Sequence, residues 1–534
     1  MVRILLLIAI WALAAKPVSA DPTPEPGWPV ATGYSVSQSG VAVQLDADAP
    51  LEVAIASQDG YLYVFNHDGT SVPGFPQYMG SALGPDPWVN QCSSPAAADL
   101  DGDQIPEIIV GCFDGKLYAF RADGALVAGF PYTTGWMIFS TPAVGDIDGD
   151  ERPEIVVGSN DGGIHAVNED GSLCPGFPVS TPYVVRSSPA LGDLDADGYP
   201  EIVITADNDT HHLYALDGDG AHLPGFPLAF AIGANSSPSL ADLDQDGDLE
   251  IAVGSRDGFL HVLHHDGTYL PGWPLDAGYS LQSSPTLADL DGDGYREIII
   301  GLNDSKVSIY RLDGTNFPGW PQSTAYTVVT SASVADIDGI EGLEIIQADN
   351  TGLVNAWHSD GTVVPGFPLT DPTYTVYSSA LLADLDGDDR LELLLGCMDT
   401  WIYCWDLGPG SFRPERMPWP EWRLDAKKTA AVPATPSSAV AESALGLELH
   451  ASNPNRGRVV IRYRAPNLPP KRLDVYDLSG RRVRAWTDDD LDGWAGRLVW
   501  SGRTTEGTPI SEGCYWFCLT CGTREATERV IVLH

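Results

Sequence analysis

Between residues 236 and 274 the chain alternates short apolar runs with sharp polar breaks. Small residues at 236–241 lead into an acidic stretch. Glu250-Ile251-Ala252-Val253-Gly254 follows as one strand, Arg256-Asp257-Gly258 as a turn, and Phe259-Leu260-His261-Val262-Leu263 as the next strand. His265-Asp266-Gly267 turns the chain again, and Tyr269-Leu270-Pro271-Gly272-Trp273-Pro274 closes the unit. Asp-Gly between short apolar runs predicts a tight hairpin, because glycine takes the required positive φ without steric cost. The unit therefore reads as a four-stranded antiparallel meander.

The same order of signals recurs eight times, and from Asp99 onward the acidic stretch returns every 47 to 49 residues. A unit this small with strands this short cannot bury a core by itself. Units must stack, and repeated four-stranded sheets packed around an axis make a β-propeller. The expected fold class is all-β: a β-propeller of eight blades, with seven as the alternative, plus a small C-terminal β-sandwich. Pro-Gly-Phe/Trp-Pro copies at 73–76, 175–178, 224–227, 271–274, 318–321 and 365–368, with a variant at 128–131, suit an outer edge strand. Their aromatic residue can wedge between neighbouring blades. One more copy, Pro26-Gly27-Trp28-Pro29, precedes the first unit and is expected to pair with the eighth and close the ring. Pro418-Trp419-Pro420 competes for that place, which keeps the seven-blade count open.

The acidic stretch reads as a calcium loop. In Asp289-Leu290-Asp291-Gly292-Asp293-Gly294-Tyr295-Arg296-Glu297, side-chain oxygens fall at positions 1, 3, 5 and 9 and a backbone carbonyl is available at 7. A tightly curled loop can thus converge the roughly six to eight oxygens that a hard cation takes. Six loops carry the full set, with the position-7 carbonyl named last: Asp99, Asp101, Asp103, Glu107 and Ile105; Asp146, Asp148, Asp150, Glu154 and Arg152; Asp193, Asp195, Asp197, Glu201 and Tyr199; Asp242, Asp244, Asp246, Glu250 and Asp248; Asp289, Asp291, Asp293, Glu297 and Tyr295; Asp384, Asp386, Asp388, Glu392 and Arg390. About six Ca2+ sites are expected. Two loops are degenerate, with Gln44 in place of the opening Asp ahead of Asp46, Asp48 and Glu52, and Ile340 in place of the third Asp between Asp338 and Glu344. Those two are expected to bind weakly or not at all.

Composition adds the compartment. Arg3, an apolar run from Ile4 to Ala15 and Val18-Ser19-Ala20 match a secretory signal peptide over 1–20, and no stretch reaches the length of a membrane helix. The net charge is −44, yet from Leu447 onward 13 Lys/Arg face 11 Asp/Glu, so the acidity belongs to the repeats. Such a surface excludes nucleic acid as a partner. Among eight cysteines, Cys92 with Cys112 and Cys397 with Cys404 are candidate disulfides across hairpins, and Cys518 could reach Cys521 only through a tight turn. The expected layout is a signal peptide (1–20), the calcium-binding propeller (21–426), a linker rich in Ala, Pro, Ser and Thr (427–446) and the C-terminal β-sandwich (447–534).

The repeated D-x-D-x-D-G-x-x-E loop followed by a Val/Ile-rich strand resembles the FG-GAP and VCBS-type repeats, including those of integrin α-subunit propellers, over roughly residues 26–425. That resemblance implies calcium held in the blade hairpins. The chain lacks clear Phe-Gly and Gly-Ala-Pro tripeptides and any Asp-x-Ser-x-Ser adhesion motif, so an integrin-type ligand mechanism is not implied. Asn453-Pro454, Leu473-Asp474-Val475-Tyr476-Asp477-Leu478-Ser479-Gly480-Arg481, Gly513-Cys514-Tyr515-Trp516 and Val530-Ile531-Val532-Leu533 resemble the C-terminal sorting domains of type IX secretion cargo and the related FlgD-like immunoglobulin fold. This implies contact with export machinery or surface attachment; a purely structural cap is the other reading.

Catalysis needs convergent groups in unlike environments, and the strictly repeated carboxylates and scattered histidines supply no such constellation; no catalytic residue is assigned. The expected function is a secreted or cell-surface, non-catalytic propeller that binds an extracellular protein or glycan. The alternative is a calcium-dependent polysaccharide lyase or other carbohydrate-active enzyme on the same scaffold, with a quinone-dependent dehydrogenase a more distant third.

Overall fold

The computed structural model describes residues 21–46, 48, 50–80, 91–207, 211–230, 236–340, 342–408, 417–420, 423–425 and 427–430, then 448–451, 455–456, 459–464, 471–477, 482–487, 495–500, 503, 513–521 and 524–533. The expected signal peptide and most of the expected linker lie outside the described residues. Two compact units emerge, Met1–Pro433 and Ala434–His534. All described regular structure is strand.

The first unit is an eight-bladed β-propeller. Blade 2 is representative: an innermost strand Ala96–Ala98, a second strand Glu107–Gly111, a third Lys116–Phe120 and an outermost Tyr132–Thr133, each hydrogen-bonded antiparallel to the next. Blades 1 to 6 have four such strands, and blade 7 has three (Ser333–Ala335, Glu344–Ala348, Val354–His358). The second strands are apolar without alternation because blades cover both of their faces; Ile108, Ile109 and Val110 are all fully buried.

Blade 8 (Leu381–Ala383, Glu392–Gly396, Trp401–Asp406) is completed by the N-terminus, with Thr23–Pro24 and Val30–Ala31 both pairing with its third strand. The Pro26–Pro29 copy sits between those two short strands and closes the ring as expected. The aromatic of this motif does wedge between blades: the indole N–H groups of Trp28, Trp273 and Trp320 donate to the carbonyls of His67, Leu312 and Ser359 in the following blade, at 2.7–2.8 Å. The motif's glycine is set by the same contact. Gly176 has φ of 88°, and a Cβ there would lie 1.8 Å from the carbonyl oxygen of Asp219 in the next blade. Gly176→Ala is expected to cost more than about 2 kcal/mol, read as a lower denaturant midpoint; an unchanged midpoint would show that the blades are free to separate there.

Pro418-Trp419-Pro420 does not compete for the closure site. It turns into the axis, where Trp419 exchanges both backbone hydrogen bonds with Val334 (2.7 and 3.2 Å) and Pro420 accepts from the N–H of Leu382. Farther on, the carbonyls of Lys427, Thr429 and Ala430 accept from Val144, Leu191 and Leu240, on the innermost strands of blades 3, 4 and 5. Innermost strands have one edge turned toward the axis, and a buried edge must find partners; this segment provides them. Lys427–Ala430, read from sequence as the start of a linker, is therefore part of the propeller, with Lys428 and Ala430 fully buried.

A second ring lies just ahead of the innermost strands. Backbone N–H groups of Ser39, Thr141, Ser188, Ser237, Ser284, Ser331 and Ser379 each donate to a serine hydroxyl of the next blade at 2.8–3.0 Å, and the Ser379–Ser39 bond joins blade 8 to blade 1.

Cys92 and Cys112 form a disulfide. Cys397 and Cys404 do not: Cys404 stands opposite Leu394 in the strand register, whereas Cys397 lies beyond the strand end, and both are buried free thiols. The C-terminal unit has a three-stranded sheet (Glu448–Ala451, Val459–Arg464, Ala495–Trp500) and a five-stranded one. Its strand Gly513–Cys521 runs unbroken, so no turn separates Cys518 from Cys521.

Candidate metal loops and an aromatic face

Each acidic loop connects the innermost strand of its blade to the second. Asp99 directly follows Ala96–Ala98, and Glu107 is the first residue of Glu107–Gly111. All eight loops share one lock: the Oε2 of the position-9 glutamate accepts the N–H of the residue at position 2, at 2.5–2.9 Å. The opening aspartate holds the curl, as where Asp99 accepts from Gly102 and Gln104 at 2.8 and 2.9 Å. The position-5 aspartate accepts from the N–H of position 7, as Asp103 does from Ile105 at 2.8 Å. Positive φ at positions 4 and 6 makes the curl. Where glycine is missing there, Gln104, Glu151, Ala196, Gln245 and Asp389 adopt it with φ of 62–72°, at roughly 1 kcal/mol each.

The structure thus brings loop carboxylates together: one oxygen each of Asp99, Asp101 and Glu107 in blade 2, and of Asp146, Asp148 and Asp150 in blade 3, lie within 4.8 Å of one another, and Glu297 in blade 6 feels Asp289, Asp291 and Asp293. The glutamates are almost entirely buried. Burial, opposed by the position-2 N–H and reinforced by the loop aspartates, pushes Glu107, Glu154, Glu201 and Glu297 up to about 7 and Glu250 up to about 8. Burial takes Glu392 up to about 9, helped by the negative charges of Asp386 and of Glu25 in the closing segment. Buried oxygens without a hydrogen-bond partner remain at Glu154 Oε1, Asp193 Oδ1 and Asp242 Oδ1. Orphaned, oxygen-only donors facing a curled loop are what a hard divalent cation requires. In blade 1 the Gln44 side-chain amide donates to the carbonyl of Asp48 at 2.6 Å, so a neutral N–H stands where the other loops have a carboxylate.

Sequence reading missed the residue facing the position-9 glutamate across the hairpin. In register it is Asp406 opposite Glu392 and His358 opposite Glu344. Other blades place Arg121 3.7 Å from Asp101, Arg311 3.3 Å from Asp291 and His264 3.4 Å from Glu250. The signal was present, since each such residue lies two positions before an Asp-Gly turn or its equivalent.

The opposite end of the innermost strands carries different chemistry. The segments entering these strands present Tyr34, Trp136, Tyr279, Tyr326 and Tyr374, each 44–62% exposed, at the junctions between blades. Their backbone is pinned: the hydroxyls of Thr32, Thr134 and Thr324 donate to the carbonyls of Tyr34, Trp136 and Tyr326, and the Gly135 N–H donates to Asp161 Oδ2. An axial cavity of about 180 Å³ is lined by the serine ring, Gln38, Gln282, Arg186 and the aromatic rings of Phe139 and Tyr377.

Fold and loops together define an eight-bladed β-propeller with an acidic loop in each blade. The FG-GAP-like repeat model matches residues 99–157, 193–253, 242–300 and 289–339. Among solved structures, the chain is similar to the Vibrio cholerae biofilm matrix protein Bap1 (TM-score 0.52, 14% identity, 74% of this chain and 92% of that one). It is also similar to the Dos1 propeller (0.53, 13%, 74% and 96%) and to Saccharomyces cerevisiae Sqt1 (0.51, 16%, 73% and 98%). At these identities the likeness is one of fold. No curated protein matches the chain in sequence. Among the described residues no helix is long and apolar enough to cross a membrane.

Proposed function

We propose that this protein is an exported, non-catalytic recognition propeller, stabilised by calcium in its six full loops, that binds an extracellular glycan or protein on its aromatic face. One observation carries the binding face: five exposed aromatic rings stand on pinned segments that lead into the innermost strands, and the serines of those same segments line a polar axial cavity. Aromatic faces offer large contact area at low conformational cost, and hydroxyl, amide and guanidinium groups lining the cavity suit a polyhydroxylated ligand. The orphaned carboxylate oxygens support calcium as the resident ion, held by the position-1, -3, -5 and -9 side chains and the position-7 carbonyl. Its chemistry there is charge neutralisation of the loop. Export is supported by the leader pattern at 1–20 and by the Cys92–Cys112 disulfide, which suits an oxidising compartment. A sorting role for the C-terminal unit rests on its sequence resemblance alone.

The test is retention of the full mature chain on a panel of polysaccharides and matrix proteins, with calcium or chelator, and mass spectrometry of the products. Retention without new products is expected, and Trp136→Ala or Tyr374→Ala should each weaken it about tenfold or more. Shortened or unsaturated oligosaccharides would overturn this reading in favour of a lyase or hydrolase. Undiminished retention by both variants would move the binding face elsewhere.

A further inference from the structure

We propose that the loop of blade 7, which departs from the other acidic loops, is a separate metal site for a transition ion of the zinc class, formed by Asp338, Glu344 and His358. Ile340 replaces the third aspartate, so this loop cannot gather the oxygens that calcium needs. What it offers is smaller and softer. His358 Nδ1 lies 3.1 Å from Glu344 Oε1 and 4.0 Å from Asp338 Oδ2, and one ligand atom from each of the three side chains falls within 4.8 Å of the others. Tetrahedral zinc with bonds of ~2.0–2.2 Å spaces its ligand atoms about 3.4 Å apart, between the two observed separations.

Each carboxylate is already aimed. Glu344 Oε2 accepts from the Ile337 N–H at 2.9 Å and Asp338 Oδ1 from the Ile340 N–H at 2.8 Å, leaving the other oxygen of each turned toward the imidazole. Asp338 is 5% exposed and its Oδ2 has no hydrogen-bond partner. The Nδ1–H of His358 could satisfy Glu344 but would leave that oxygen orphaned, whereas a metal ion takes both. His358 itself is part-exposed, which gives an ion a way in and leaves a fourth coordination position open to water. Backbone bonds from His358 N–H to Thr362 and from Gly361 N–H to the His358 carbonyl fix the strand end that presents the ring. Blade 5 is the internal control: His264 Nδ1 stands 3.4 Å from Glu250 Oε1, but that loop keeps Asp242, Asp244 and Asp246 and with them the oxygen set for calcium.

The full mature chain, stripped with chelator, is dialysed against one equivalent of Zn2+ in excess Ca2+, and bound metal is counted by mass spectrometry after gel filtration. One zinc per chain is expected, with affinity reduced more than about 100-fold in His358→Gln, beyond the ~10–100-fold typical of losing an outer-shell partner. His264→Gln should leave zinc unchanged. Should His358→Gln fail to fold, Co2+ added to the unaltered chain serves instead: the strong visible absorption of tetrahedral Co2+ is expected, and its absence counts against the site. No zinc retained, which would leave His358 as a hydrogen-bond partner of Glu344 alone, overturns the proposal. So does zinc retention that is insensitive to His358→Gln, or that is lost in His264→Gln.

Discussion

Removing calcium with a chelator is expected to lower the unfolding temperature of the propeller by roughly 10 °C, and re-adding Ca2+, but not Mg2+, should restore it. On the calcium reading proposed here, each full loop adds ~1.4 kcal/mol at free calcium about ten times its dissociation constant, and six independent loops add roughly 8 kcal/mol. For a propeller of this size that energy corresponds to a shift of about 10 °C. The direction follows from the loops themselves. Glu392 is buried beside Asp384 and Asp386, with Glu25 reaching in from the closing segment, so a bare loop must protonate or open. Mg2+ is smaller, keeps its waters and prefers octahedral geometry, so it fits the loop poorly. Identical unfolding curves with and without chelator would rule out structural calcium.

Arg423→Ala should be the most damaging single substitution outside the blades, at roughly 3–5 kcal/mol. Arg423 is 1% exposed in the axial segment, and its guanidinium donates to the carbonyl of Pro238 at 2.8 Å and to that of Pro189. Burial pulls this guanidinium down to about 9 despite nearby Asp425. Truncation would leave two carbonyls from different blades facing a void. Arg423→Lys is expected to lose about 1–2 kcal/mol, because a single ammonium lacks the fork that serves both. Equilibrium denaturation of the three proteins tests this order; equal midpoints would mean that the axial segment is held by its backbone bonds alone.

Periodicity made the blades legible, because the inner three strands, their turns and the acidic loop are local and recur in every blade. The closing copy at 26–29 was legible for the same reason: seven copies follow it, one for each of blades 1 to 7, and the eighth blade has none of its own. The axial segment was not. Trp419, Arg423 and Lys428 share no period and sit beside an Ala/Pro/Ser/Thr-rich tract, and only the unpaired inner edges of distant blades give them a role. The expected Cys397–Cys404 disulfide failed on register, since proximity in a hairpin does not make two side chains face each other. The site was half visible. The repeated carboxylates announced themselves, whereas their partners across the hairpin, from Arg121 to His358 and Asp406, vary by blade and became meaningful only once strand pairing was known. The exposed aromatics were hidden by spacing: five tyrosines and tryptophans are spread over eight connections, and the threonine two residues ahead of Tyr34, Trp136 and Tyr326 gains meaning only from its hydrogen bond.

The serine ring and the segments that flank the blades on either side change what kind of repeat protein this is. In an open solenoid each repeat leans only on its neighbours, so fraying starts at an end and spreads inward. Here Ser379 bonds to Ser39, residues 23–31 complete blade 8, and residues 417–430 tie together blades 3, 4, 5, 7 and 8. The array has no end blade from which to unravel. A growing chain, however, cannot finish this closed circuit until residue 430 has been made, because only then can the axial segment reach the innermost strands of blades 3, 4 and 5.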